Sequence, residues 1–285
     1  MRTSWLKAAF VAVVTGGLLA AAAPAAAAPT SGFDDWSCRP SASHPSPVVL
    51  IHGLGGNGPG NFALLGPYLA SAGYCAFTFT YGQASPSIPV GGTIAIADSA
   101  KQIVAFSERV RQATGAAKVD FVGHSEGAFQ SLYIPKILGY AGKVHRVVAI
   151  APPTHGTTFA GLVNVAYLLG ARDLVGQVLN TFGCAACDQL IVGGAAVKQL
   201  TAGQISQPGV GYTILASRAD AIVTPTGTAF VNESGVRNAY VQDTCPLDPV
   251  GHVGLAFDTG VAQMVANGLD PAHAKPVICS VGPVI

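Results

Sequence analysis

Charge is scarce in this chain. Only 10% of its 285 residues are Asp, Glu, Lys or Arg, and 15 Lys+Arg against 14 Asp+Glu leave a formal net charge of +1. A nucleic-acid partner requires a basic excess to neutralise phosphates, so none is expected. Disorder is excluded from the other side, because 50% of the residues are hydrophobic and no charge sign dominates. Beyond residue 28 there is no uninterrupted apolar run of the roughly 18 residues that a spanning helix needs. The chain also lacks a fixed-period repeat and a long low-complexity linker. No metal-ligating cluster stands out, and no cofactor is called for.

What is present begins at the front. Arg2 and Lys7 precede an apolar stretch over residues 8–23, and Ala25 to Ala28 supply small residues before Pro29. That order predicts a secretory signal peptide over 1–28 and a soluble exported protein over 29–285. The stretch is long enough for a membrane anchor, but it is mostly alanine and no cluster of positive charge follows it. Export makes the six cysteines legible as three disulfides, with fifteen connectivities open. The expected set is Cys38–Cys75, Cys184–Cys187 and Cys245–Cys279. A redox centre or half a zinc site at Cys184-Ala-Ala-Cys187 is disfavoured, since there is no second CxxC and no thioredoxin-like strand before it.

Residues 29–46, rich in Pro and Ser, read as extended. Short apolar runs then alternate with helix-like stretches, the rhythm of an α/β domain with a mostly parallel sheet. Strands are predicted over 48–51, 75–80, 119–122, 144–150, 212–217 and 239–241. A helix is predicted over 94–114 from the spacing of Ile96, Ile103, Phe106 and Val110. The segment 152–200 is too long for a plain strand connection, and 160–169 and 174–182 look helical and apolar. It is either a pair of covering helices or a cap over a cleft.

Gly123-His124-Ser125-Glu126-Gly127 fits G-x-S-x-G, directly after the strand-like Val119-Asp120-Phe121-Val122 and before a helix-like stretch over 128–138. A serine at such a junction sits on a strained elbow, with glycines relieving the crowding and its hydroxyl above the C-terminal sheet edge. Ser125 is therefore the candidate nucleophile. Acyl transfer from an ester places negative charge on the former carbonyl oxygen, and backbone N–H groups must meet it. The Glu126 N–H at the helix start is one expected donor. The second is the Leu54 N–H, in the turn His52-Gly53-Leu54-Gly55-Gly56 after the first strand. A phosphate loop is the rival reading of that turn, but the Gly-Lys-Ser/Thr ending is missing. His52 and His124 are expected as structural neighbours.

The base and acid follow from chain order, which in this architecture runs serine, acid, histidine. His145 lies in a strand pattern, His155 comes too early, and His273 falls in the tail beside Pro271 and Pro276. His252, in the loop Asp248-Pro-Val-Gly-His252-Val-Gly254, is the expected base. Asp220, just after the strand at 212–217, is the expected acid; Asp243 is the runner-up, and Asp248 is read as a loop cap.

Val48-Val-Leu-Ile-His-Gly53, Gly123-His-Ser-Glu-Gly127 and Ala216-Ser-Arg-Ala-Asp220-Ala-Ile-Val-Thr-Pro225 together resemble secreted actinobacterial lipases of the α/β-hydrolase fold, the class 2 lipase group. The similarity runs from about residue 35 to the end. It implies a mostly parallel central sheet with helices on both faces, a helical cap segment at about 152–200, and extracellular hydrolysis of acylglycerols or related lipid esters. The Asp-x-x-Val-x-Pro context strengthens Asp220. One departure is Glu126, where the group more often carries Gln. The expected protein is thus a monomeric serine ester hydrolase with a lipid or small ester substrate, touching a lipid–water interface only transiently. An acyltransferase on the same scaffold and a catalytically silent lipid-binding surface protein are the rivals.

Overall fold

Every residue of the strand β1 (Val48–Ile51) is inaccessible to solvent, as a strand covered on both faces must be. It runs parallel to β2 (Ala76–Thr78) on one side and to β3 (Val119–His124) on the other. The sheet continues in parallel through β4 (Val144–Ile150), β5 (Gly211–Ala216) and β6 (Val236–Tyr240), in the order β2-β1-β3-β4-β5-β6. This computed structural model describes residues 32–158 and 184–285. The signal peptide expected at 1–28 and the helical stretches expected at 160–169 and 174–182 lie outside the described residues.

Alternation along the strands divides the interior into two cores. Val49, Ile51, Phe121, Val147, Ala149 and Ile214 face one layer of helices: α3 (Ile96–Thr114), α4 (Glu126–Ile137) and α6 (Ala195–Thr201). Val48, Leu50, Val122, Val148, Ile150 and Leu215 face the other, built by α2 (Leu65–Ser71) and α8 (Thr259–Leu269). Helices therefore cover both faces of the sheet. Ile96, Ile103, Phe106 and Val110 are all buried in the α3 interface, which is why their spacing was informative.

Element boundaries moved most where tertiary contacts take over from local pattern. The strand expected at 75–80 ends at Thr78, because Thr80 and Tyr81 turn away to meet Gly58 and His52. The strand expected at 239–241 spans Val236–Tyr240, and Val241 opens the short helix α7 (Val241–Thr244). Short α1 (Gly58–Asn61) and α5 (Ala185–Gln189) complete the helices described. Among the described residues no helix is long and apolar enough to cross a membrane.

The six cysteines are joined as Cys38–Cys75, Cys184–Cys187 and Cys245–Cys279. The first fixes the segment ahead of β1 to the start of β2. The third ties a strap, residues 279–285, to the end of α7, beside the loop that follows β6.

Candidate active site

Ser125 stands between β3 and α4 with φ 57° and ψ −120°, a positive φ that costs strain in a residue with a Cβ. Its backbone N–H is held by the Ile150 carbonyl at 2.8 Å. The strain is tolerated because the flanks have no side chains. A Cβ on Gly123 would overlap the Gly127 carbonyl, and one on Gly127 would overlap the Ile51 carbonyl of β1. The elbow thus lifts the hydroxyl above the C-terminal edge of the sheet, into a cleft of about 410 Å³.

Two other loops converge there. Asp220 follows β5 by a tight turn, and its Oδ1 accepts the N–H groups of Ile222 and Val223 at 2.8 Å each. Its Oδ2 accepts the Nδ1–H of His252 at 2.7 Å, with both side chains buried. That bond leaves Nε2 without a hydrogen, able to accept the Ser125 hydroxyl, which lies 2.8 Å away. The line runs Ser125–His252–Asp220, drawn from the ends of β3, β6 and β5.

The His252 loop is gripped on several sides. Ser217 Oγ donates to the Val250 carbonyl at 2.5 Å, and Gln242 Nε2 donates to Asp248 O at 2.9 Å. Gly251 N–H and Gly254 N–H donate to the Pro283 and Ile285 carbonyls of the strap at 2.9 and 2.7 Å. Asp248 Oδ1 accepts the Val250 and Gly282 N–H groups, so its cap also binds the strap. From below, His124 Nε2 lies 2.9 Å from the His252 carbonyl. Burial, then the nearby His252, lowers the His124 pKa to about 3, so the ring is neutral.

The turn after β1 forms the opposite wall, with Gly53, Leu54, Gly55 and Gly56 lining the cleft. Asn61 Oδ1 accepts the Gly53 N–H at 2.9 Å. His52 is wholly buried, stacked on Tyr81, and its Nε2 accepts the Tyr81 N–H at 3.2 Å. The Nδ1–H accordingly goes to the Gly53 carbonyl at 2.8 Å, and burial lowers the pKa of His52 to about 4. Both histidines brace backbone. Glu126 opens α4 with its N–H at the positive end of the helix. Ile222, Val253 and Phe257 form an apolar, partly exposed rim.

The remaining candidates lie elsewhere. His145 pairs with Asp120 at 3.0 Å toward the starts of β3 and β4, and His273 pairs with Asp270. His155 is exposed, with Nε2 3.1 Å from Phe230 O. Asp243 is engaged on the surface by Arg218 while capping α7. Among the described residues no group of three or more His, Cys, Asp or Glu is disposed to hold a metal ion. Asn61 and the strap were missed by sequence reasoning. Asn61 sits in a run of Gly, Pro and Asn with no distinguishing pattern, and the strap acts through backbone atoms that carry no residue signature.

A parallel sheet with helices on both faces and a Ser–His–Asp line above its C-terminal edge places the chain among the α/β-hydrolases. The fold resembles lipase B of Aspergillus fumigatus, at TM-score 0.61 and 17% identity over 85% of this chain and 57% of that one. It also resembles the mature lipase BlEst2 of Bacillus licheniformis, at TM-score 0.52 and 19% identity over 73% and 89%. The sequence model of the family Lipase (class 2) matches residues 45–265, and the chain belongs to that family. A triacylglycerol lipase of Burkholderia plantarii is 28% identical over 63% of this chain and 47% of its own length. One of Pseudarthrobacter phenanthrenivorans is 30% identical over 48% and 42%. The match spans less than half the length of both curated relatives.

Proposed function

We propose that this chain is a secreted serine hydrolase of lipid esters, acylglycerols above all. What carries the reading is the continuous hydrogen-bonded line from Ser125 through His252 to Asp220 at 2.8 and 2.7 Å. Ser125 attacks the ester carbonyl while His252 takes its proton, and Asp220 holds the imidazole tautomer and stabilises its charged form. The Leu54 and Glu126 N–H groups receive the developing oxyanion. His252 then protonates the departing alcohol, and water activated by the same imidazole releases the acid.

The apolar rim of Ile222, Val253 and Phe257 supports an acyl chain entering the cleft. Three disulfides support an oxidising, extracellular setting, with residues 1–28 as the leader and 29–285 as one monomeric catalytic unit. Residues 152–200 are the cap in this reading. Its described part is tied to the segment before α3 through Ala186 N–H to Thr93 O and Ile96 N–H to Gln189 Oε1.

Ser125→Ala is expected to lower kcat/KM on a p-nitrophenyl ester by about six orders of magnitude, with the unfolding midpoint unchanged. Retained turnover in that variant overturns the assignment.

A further inference from the structure

Directly behind the serine lies a carboxylic acid for which the mechanism above has no use. The Glu126 side chain is 0% exposed. Its Oε1 has only a 3.4 Å contact with Gln130 Nε2, a nitrogen already donating to the Ile96 carbonyl at 3.0 Å. Its Oε2 has no hydrogen-bond partner. That oxygen packs against Gly92, in the space a side chain there would fill, beside Leu54 Cα. The Tyr81 hydroxyl also faces the carboxyl, but it gives its one hydrogen to the His52 carbonyl at 2.7 Å. Toward Glu126 the phenol oxygen can therefore only accept, and only a protonated carboxyl has a hydrogen to offer.

The turn that Glu126 touches is bonded to the turn carrying Leu54. Gly55 N–H donates to the Gly91 carbonyl at 2.9 Å, and Gly91 N–H donates to the Gly56 carbonyl at 2.7 Å. Gly92 N–H donates in turn to Tyr81 O at 2.8 Å. The backbone around Leu54 is thus set by a turn whose underside is the Glu126 carboxyl.

We propose that the uncharged Glu126 carboxyl is a positioning group that holds the Gly91–Gly92 turn against the oxyanion turn, and that its ionisation ends catalysis on the alkaline side. The proposal rests on Ser125 as nucleophile and on Leu54 and Glu126 as oxyanion donors. Two physical effects act in the same direction. A buried carboxylate without a cation draws water or movement into its pocket, loosening the packed turn. It also places negative charge beside the site where the oxyanion develops.

Among the described residues, the groups facing this carboxyl are few. Tyr81 comes from the loop after β2 and Gln130 from α4, and His52 stacks on the far side of Tyr81. Burial holds the Glu126 carboxyl well above the usual range, and Gln130 offsets it only in part. Burial, with Glu126 beside it, also raises the Tyr81 phenol.

The test is the pH profile of tributyrin hydrolysis in a pH-stat for the full chain, Glu126→Gln and Tyr81→Phe. The Gln variant is expected to move the midpoint of the alkaline limb upward by about one pH unit or more, and Tyr81→Phe, which removes an acceptor of the neutral carboxyl, not to raise it. An unmoved midpoint in Glu126→Gln overturns the proposal, as does a limb that rises with Tyr81→Phe instead. A second measurement covers a Gln variant that fails to fold. The chain holds three glutamates, Glu108, Glu126 and Glu233. The Tyr140 hydroxyl holds Glu108 low, and at Glu233 backbone and side-chain hydrogen bonds outweigh burial to the same effect. With side-chain carboxyl ¹³C labelling of the wild type, two resonances are expected to titrate at the acid end and one with the loss of activity. All three titrating at the acid end refutes the role of Glu126. Fluorophosphonate labelling of the wild type and Ser125→Ala tests the nucleophile separately, so failure of that reading is distinguishable.

Discussion

Buried titratable groups around the cleft impose opposite pH dependences on stability. His124 and His52 have folded-state pKa values of about 3 and about 4, below the ordinary 6.5, because burial disfavours their charged forms. The unfolded chain therefore binds protons that the native protein refuses. Their contribution is complete above pH 6.5 and is lost as pH falls through 6.5 toward the folded values, at about 1.4 kcal/mol per pH unit for each ring. Glu126 has the reverse sign. Its folded pKa is raised, so its contribution is complete below the ordinary 4.5 and declines as pH rises through the folded value. Urea unfolding of the wild type and His124→Gln between pH 4.5 and 6.5 checks the first term. The variant is expected to lose less stability on acidification, by about one proton's worth of slope; an identical slope would show that His124 titrates as it does in the unfolded chain.

At the scale of elements, the elbow depends on the closeness of α4 to β1. A methyl group at Gly127 collides with the Ile51 carbonyl, in a strand hydrogen-bonded on both sides and unable to retreat. Gly127→Ala is expected to cost about 3 kcal/mol or more and to abolish activity. Gly115→Ala, at the left-handed end of α3 with open space around it, is expected to cost only about 1–2 kcal/mol and leave activity intact. Thermal midpoints and ester turnover of the two proteins check both. The elbow was legible in sequence because three local signals coincide there: an apolar strand, paired glycines and a helix start. Asp220 and His252 were reachable because chain order and loop position leave few candidates. The grip on His252 was not legible, since Gly251, Gly254, Gly282, Pro283 and Ile285 act through main-chain groups common to nearly every residue. Nor was the neutral state of Glu126, which arises from packing against a turn 34 residues earlier.

Across the whole molecule, the three disulfides are unequal. Cys38–Cys75 and Cys245–Cys279 close loops of sequence separation 37 and 34, each contributing about 4 kcal/mol in the loop-entropy account, whereas Cys184–Cys187 spans a separation of 3 and contributes about 2. The two long bridges differ in what they anchor. Replacing Cys245 and Cys279 with serine is expected to lower kcat as well as stability, because the strap that holds the His252 loop is freed. Replacing Cys38 and Cys75 is expected to lower stability alone. Steady-state kinetics beside denaturant titrations separate the two, and equal kcat losses would contradict this division of roles.

The strap has one further consequence. Its Pro283 and Ile285 carbonyls clamp the Gly251 and Gly254 N–H groups on either side of His252, and the strap is itself held by the covalent tie at Cys279. The steadiness of the imidazole is thus borrowed from a bridged tail outside the line of catalytic side chains.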